Sequence, residues 1–476
     1  MPVSPDEMQS TRESSHPWWN PWYWPAGIWV LVIGLLIFSI PFAVRTVMLA
    51  GIPAMPEPFD EAEFIRWDVP EDENAFSDYR RATKMRAAIV ADWKEQGLVV
   101  NEPSNYEDVL KKGWSAADEP TEKWLEMHRE ILKVWRRGTE KEHALNVSPA
   151  DLSISSILDV VQEQRVFGRL ALFEQARLMA EGRFEEAAEF GRAAFRCGGH
   201  SSHRGCLVQG LTGTALHSLS CLGLACWSEQ PGVTSEQLLR LQANLRRDYG
   251  LYESRSNMLI TEFLAMRNTF VRSEWLQMSL NSTADDSSAA MVAVWKIGYW
   301  TVGEPDLTAR ILRNVLANQM REVDKPMAGR AKLVGSGRVM LFDTTGPLLP
   351  GQLDPAGIDR AMNRSTLARL WLSSLKLVDT ALLRQDARQA ALEVLLGAQA
   401  YRRDQGEFPD SLSKLVPKYL PTIPLDPFSP NGAPLLYRRD DPTHAVVWSL
   451  GEDGIDGGGD VEAASGRPPD AGFFLK

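Results

Sequence analysis

Along the chain, apolar residues are spaced in three different ways. From Ala26 to Val44 (AGIWVLVIGLLIFSIPFAV) almost every position is apolar, and no Asp, Glu, Lys or Arg occurs between Ser14 and Val44. At a rise of about 1.5 Å per residue this run reaches about 28 Å, enough to cross a hydrocarbon core. Trp18, Trp19, Trp22, Tyr23 and Trp24 precede it, broken by Pro17, Pro21 and Pro25. Such rings settle at the headgroup level, where an apolar body and a polar edge are both satisfied. A cleaved signal would be basic at its start and shorter in its apolar core. Here the leading tail carries Asp6, Glu7 and Glu13 against Arg12. A retained transmembrane helix over 26–45, in contact with the lipid bilayer, is therefore expected. Arg12 and Arg45 flank it symmetrically, so charge does not fix its orientation.

The second pattern is helical. Apolar residues recur at three- and four-residue steps over Tyr79–Gln96, Glu122–Arg137, Ile157–Glu181 and Phe184–Phe195. Gly182 separates the last two, so they read as an antiparallel helical hairpin. Further helices are expected at Cys206–Trp227, Ser235–Tyr249, Asn257–Val271, Thr308–Val323 and Ile358–Arg403, with a Gly- and Pro-rich stretch (Lys325 to Gln352) between the last two. No fixed period repeats, which argues against a solenoid. The third pattern is confined to the end of the chain. Leu435–Arg439 and Ala445–Leu450 are short β-type runs that predict a hairpin, followed by GEDGIDGGGD (Gly451–Asp460) and a tail expected to be irregular.

Charge changes this picture in one place. Between Glu57 and Glu73 lie eight acidic residues and only Arg66 as a base, with Pro56, Pro58 and Pro70 among them. That composition predicts an extended, solvated spacer. Over the whole chain, 51 Lys and Arg stand against 62 Asp and Glu, a net charge of −11, which leaves no basic excess to neutralise phosphates and excludes a dedicated nucleic-acid binder. Four cysteines in 476 residues exclude a disulfide-dense scaffold.

The segment Ala387–Val461 carries three motifs in order: a helix ending in AYRRDQGEFPDSL (Ala400–Leu412), the step YLPTIPLDPFSPNGAPLLYR (Tyr419–Arg438), and WSLGEDGIDGGGD (Trp448–Asp460). In that order they resemble the globular part of the major pseudopilin of type II secretion systems. Pseudopilins run their long helix out of a processing motif that contains a Glu. The apolar span here begins AGIWV, without it, so the resemblance implies the fold of the module rather than assembly into a pseudopilus. The resemblance also implies an extracytoplasmic body and a calcium site in the Asp/Gly loop, with the Leu450 carbonyl, Asp453 and Asp460 as ligands. Asp456 is a further ligand candidate, because Val461 stands where an acidic residue is common. The plan as a whole is similar to that of uncharacterised single-pass bacterial membrane proteins.

Cys197, His200, His203 and Cys206 recur every third residue (CGGHSSHRGC), with zinc-type donors but without the spacer that lets four ligands converge, so a glycine-broken helix junction is the plainer reading. Glu174 and Glu262 sit in apolar helices, where burial could raise their pKa. His217 reads as a satisfied core histidine. Asn281-Ser282-Thr283 is a glycosylation sequon by composition. No nucleotide-binding loop, HExxH or nucleophile elbow occurs.

The sequence thus predicts a mainly α protein in five parts: a tail with an aromatic belt (1–25), a transmembrane helix (26–45), an acidic linker (46–75), a helical-hairpin body (76–378), and a small C-terminal α+β pseudopilin-like module and tail (379–476). The expected role is a non-enzymatic scaffold or interaction protein of the bacterial cell membrane, single-pass, with other envelope proteins as partners. Two alternatives are an envelope enzyme using carboxylates in the helical body and an accessory factor of a type II secretion-like apparatus.

Overall fold

The computed structural model describes residues 26–95, 102–153, 158–272, 303–337, 339–344, 346–372, 375–462, 468 and 470–476. The aromatic belt and the Asn281 sequon lie outside the described residues. The chain is mainly helical, with a small antiparallel sheet at its C-terminus.

The first helix, α1 (Ala26–Leu49), continues through Pro41 and turns Leu31, Leu35 and Phe38 outward, each about two-thirds exposed. Among the described residues it is the one helix long and apolar enough to cross a membrane. The acidic stretch that follows is not a solvated spacer. Ile52, Met55 and Phe64 are buried, and a short helix, α2 (Glu61–Ile65), forms where Asp60 caps it. Glu57 accepts two hydrogen bonds from Arg313, at 2.9 Å each, and Glu61 accepts two from Arg267, at 2.6 and 2.7 Å. The acids have partners on helices more than two hundred positions away, so they bind the body instead of repelling each other into water.

The body is built from α3 (Ala75–Glu95), α4 (Tyr106–Lys112), α5 (Glu119–Thr139), α6 (Leu158–Ala180), α7 (Phe184–Ser202), α8 (Leu207–Ser228), α9 (Ser235–Asp248), α10 (Arg255–Arg272) and α11 (Glu304–Gln319). Local chemistry sets their limits. Asp118 caps α5 by accepting from the Thr121 N–H, and Pro120 sits in its first turn, where a missing N–H costs nothing. Thr234 and Gln237 form a reciprocal capping box on α9. Gly182, with φ +72°, makes the turn between α6 and α7, which pack side by side as the expected hairpin. A Gly- and Pro-rich stretch carries the two-residue strands β1 (Leu333–Val334) and β2 (Leu341–Phe342).

The single helix expected over Ile358–Arg403 is instead three: α12 (Pro355–Met362), α13 (Thr366–Leu372) and α14 (Leu375–Gln405). Ser365 starts α13 by taking the Ala368 N–H. The boundary drawn at 378/379 therefore falls inside α14, and α14 serves both parts. Its first turns (Leu375, Val378, Leu382) join a core with α10–α13. Beyond them, Leu392, Leu395 and Leu396 belong to the core of α5–α9. The same helix backs the terminal sheet, β3 (Leu436–Asp441), β4 (His444–Ser449) and β5 (Ala471–Leu475), with β4 in the middle. The β3–β4 hairpin follows the sequence expectation, pairing Leu436 with Trp448 and Tyr437 with Val447. The tail does not: Phe473 and Phe474 pair with Val447 and Val446 as the third strand.

Candidate functional site

The Asp/Gly loop leaves β4 at Ser449 and returns to β5, and a buried aspartate anchors it at each end. Asp426, 4% exposed, accepts from Ser449 Oγ at 2.6 Å and from the Leu450 N–H at 2.9 Å. Asp470, fully buried, accepts the N–H groups of Gly457 (3.3 Å), Gly459 (2.9 Å) and Asp460 (3.0 Å). A Cβ on Gly457 would lie 2.7 Å from Asp470 Oδ2, which is why that position has no side chain. Burial raises the Asp470 carboxyl above the ordinary carboxylate range, and the three amides oppose that shift.

The loop thus closes its backbone donors on an anion from its own chain. Of the sequence-predicted ligands, Asp453, Asp456 and Asp460 are exposed and Leu450 is half-buried. Asp453 caps the Ile455 N–H, while Asp456 accepts from Trp448 Nε1 (3.0 Å) and the Gly458 N–H (2.9 Å). Asp460 is exposed and enters the Asp470 knot through its main chain. Leu450 is held by Asp426 through its N–H. Among the described residues no group of three or more His, Cys, Asp or Glu is placed to hold a metal ion. Calcium needs six to eight oxygens around one point; in this structure the Asp453 and Asp456 carboxylates instead accept N–H groups of the loop and of Trp448.

The CGGHSSHRGC segment does hold a helix junction, but Gly198 and Gly199 are not where the helix breaks. Helix α7 continues through Gly198 and Gly199 to Ser202, and the break follows at Arg204, whose φ is +48°. The glycines let α8 approach: a Cβ on Gly213 would lie 2.5 Å from the Gly198 carbonyl oxygen. The four zinc-type side chains find four separate partners. Cys197 donates to Gln164 Oε1, His200 Nδ1 shares a proton with Tyr79 Oη at 2.8 Å, His203 lies 3.5 Å from Glu253, and Cys206 caps α8. Burial pushes the Cys197 and Cys206 thiols up to about 12 and His200 down to about 3. These thiols are inert packing groups.

Nor do Glu174, Glu262 and His217 converge. Glu174 forms a fork with Arg177 at 2.7 and 2.9 Å on its own helix. Glu262 accepts from the Leu207 N–H at 3.0 Å and borders a void of about 30 Å³, room for about one water. His217 is fully buried, reaches Gln389 Oε1 at 3.4 Å, packs on Phe195, and is pushed down to about 3 by burial.

A larger cleft, about 570 Å³, opens between the ends of α5, α7 and α9. Its polar floor is Asp248, 1% exposed, gripped by Arg192 at 2.5 and 3.2 Å and by Arg196 at 2.5 Å. Arg196 also donates to the Thr139 and Lys141 carbonyls at the end of α5. Every guanidinium nitrogen of Arg192 and Arg196 is engaged within the chain, so the floor ties three helices together and presents no unsatisfied group to a substrate. Sequence reasoning missed the three buried aspartates, Asp248, Asp426 and Asp470. Their spacing carries no signal, because each is defined by donors distant in the chain.

No family model, curated protein or solved structure matches this chain.

Proposed function

We propose that the protein is a single-pass, membrane-anchored scaffold of the bacterial envelope that presents a pseudopilin-like α+β end to other envelope proteins on the extracytoplasmic side. One observation carries the reading: an apolar helix with its side chains turned outward runs, with no free linker, into a packed helical body. A helix that exposes Leu31, Leu35 and Phe38 along its length is stable in lipid and costly in water. The non-enzymatic part rests on Glu174, Glu262 and His217, each satisfied separately and none lining a cleft of substrate size. The pseudopilin-like part rests on the order of helix, β-hairpin, glycine loop and closing strand around α14.

The test has two arms on the full-length chain. Carbonate washing of membranes is expected to leave it in the pellet, and its release intact would overturn the anchor. A reporter active only outside the cytoplasm, fused after Lys476, is expected to score, and a silent fusion of normal abundance would overturn the assigned side.

A further inference from the structure

The exit of α1 suggests a ligand. Only Ala50 and Gly51 separate its last residue from Ile52, which is 2% exposed and sits in one core with Leu307, Ile311 and Ile358. Three residue steps span at most about 10 Å, so a body joined this closely must rest against the headgroups of any bilayer that α1 crosses. If the hydrocarbon ends near Val44, residues 45–49 rise about 7 Å, the depth of one headgroup layer.

Arginines occupy that level. Arg45 pairs with Asp306 of α11, Arg310 donates to the Ile52 carbonyl at 2.6 Å, and Arg364 donates through Nη1 to the carbonyls of Met48 and Ala50. Arg364 thereby satisfies orphan carbonyls at the C-terminus of α1, where a cation is favoured. Both of its bonds use Nη1 and the side chain is exposed, which leaves its Nε/Nη2 edge without a partner among the described residues. That edge matches two oxygens of one phosphate. Among the described residues, the carboxylate that an arginine of this cluster pairs with is Asp306, bound by Arg45. The neighbouring Glu304 is turned inward to Ser365 Oγ at 2.6 Å, and burial pushes its carboxyl toward the neutral form.

We propose that Arg364, with Arg310 and Arg45 beside it, forms a site for the phosphate of an anionic phospholipid at the point where α1 leaves the bilayer. The site rests on the membrane reading of α1 given above. It would fix the body's orientation on the surface and make its stability depend on lipid charge.

The test compares melting midpoints of the full-length protein in nanodiscs of phosphatidylcholine alone and of phosphatidylcholine with phosphatidylglycerol, at one ionic strength. The wild-type midpoint is expected to be higher in the anionic discs, because a ligand bound only by the folded state stabilises it. R364Q is expected to lose at least about half of that difference, whichever way its own midpoint moves, since two equivalent bonds to one phosphate are lost together. R240Q, at an exposed arginine of α9, is expected to keep it. Inorganic phosphate added to the neutral discs is expected to change nothing. Equal wild-type midpoints, a full difference in R364Q, or a rise with inorganic phosphate alone would each overturn the lipid site. Failure of the anchor itself reads differently, because that chain would leave the membrane on carbonate washing.

Discussion

Replacing Gly213 by Ala tests whether the glycines of α7 and α8 are contact points or helix breakers. The new methyl would sit 2.5 Å from the Gly198 carbonyl oxygen and 3.3 Å from Ser202 Cβ. An ordinary C···O contact needs about 3.3 Å, so the helices must part by about 0.8 Å, and neither partner atom can rotate away because one is backbone. Overpacking of this kind costs about 1–3 kcal/mol, and a rigid obstacle puts it at the upper end. Alanine returns about 1 kcal/mol of helix propensity, which leaves a net loss of about 2 kcal/mol. G198A meets the same interface from the other side, 2.8 Å from the Gly213 carbonyl oxygen, and also meets Tyr252 Oη at 2.4 Å, so it should cost more. One widened gap relieves both clashes, so the double variant should lose less than the sum of the singles. G250A is the control. Its Cβ meets nothing within 4 Å, and it should be neutral or stabilising by about 0.4–1 kcal/mol. Thermal unfolding of the full chain in detergent, followed by far-ultraviolet circular dichroism, reads all four. A G213A midpoint at or above wild type would refute the close-contact reading and restore the helix-break reading.

Three further outcomes are expected. D248N leaves two part-buried guanidiniums without their buried anion and should cost about 3 kcal/mol, visible as a lowered denaturant midpoint; an unchanged midpoint would mean the cleft floor is not structural. His200 and His217 have folded pKa values of about 3, below the unfolded value of 6.5, so their contribution is intact above about pH 6.5 and is lost as pH falls from there toward 3. Each costs about 1.4 kcal/mol per pH unit in that window, so the pair should remove about 4 kcal/mol by about pH 5, and a flat stability profile between about pH 7 and 5 would show that they are not buried neutral. Calcium at about 1 mM should leave the melting midpoint of the full chain unchanged, because the loop amides already enclose Asp470; a rise that D453A abolishes would show that the loop refolds around the ion.

What the sequence made legible was what local periodicity encodes. The apolar run of α1, the alternation of α5 and α9, the Gly182 turn and the β3–β4 hairpin each follow from residues within a turn or two of one another. The failures share one cause, a partner distant in the chain. Gly198 and Gly199 look like breakers because their propensity is poor, yet tertiary contact, with Gly213 of α8 and with Leu251 and Tyr252 after α9, outweighs about 1 kcal/mol per glycine. The acids of 57–61 look solvated until Arg267 and Arg313 arrive. The FFL of the tail is too short to announce a strand without β4 to pair with. Two missed boundaries did have a signal: Asp354-Pro355, just ahead of the helix expected over Ile358–Arg403, and Ser365-Thr366, inside it, are start signatures.

The position of α14 constrains how the terminal module could work. In the pseudopilin-like arrangement proposed above, one long helix would lie against the sheet with its other side free. Here that side is taken. Gln242 of α9 donates to the Glu393 and Tyr419 carbonyls at 2.8 and 3.1 Å, while along α8 Thr214 meets Gln385 at 2.7 Å and Ser218 meets Arg388 at 2.6 Å. These bonds lie within a seam whose apolar members include Leu238, Leu241 and Leu396, so freeing the helix would expose core and orphan several polar groups together. The partner proposed for the module would therefore meet the sheet edge and the Asp/Gly loop, not the helix. The module separated from the body would present an apolar helix face that the whole protein never shows.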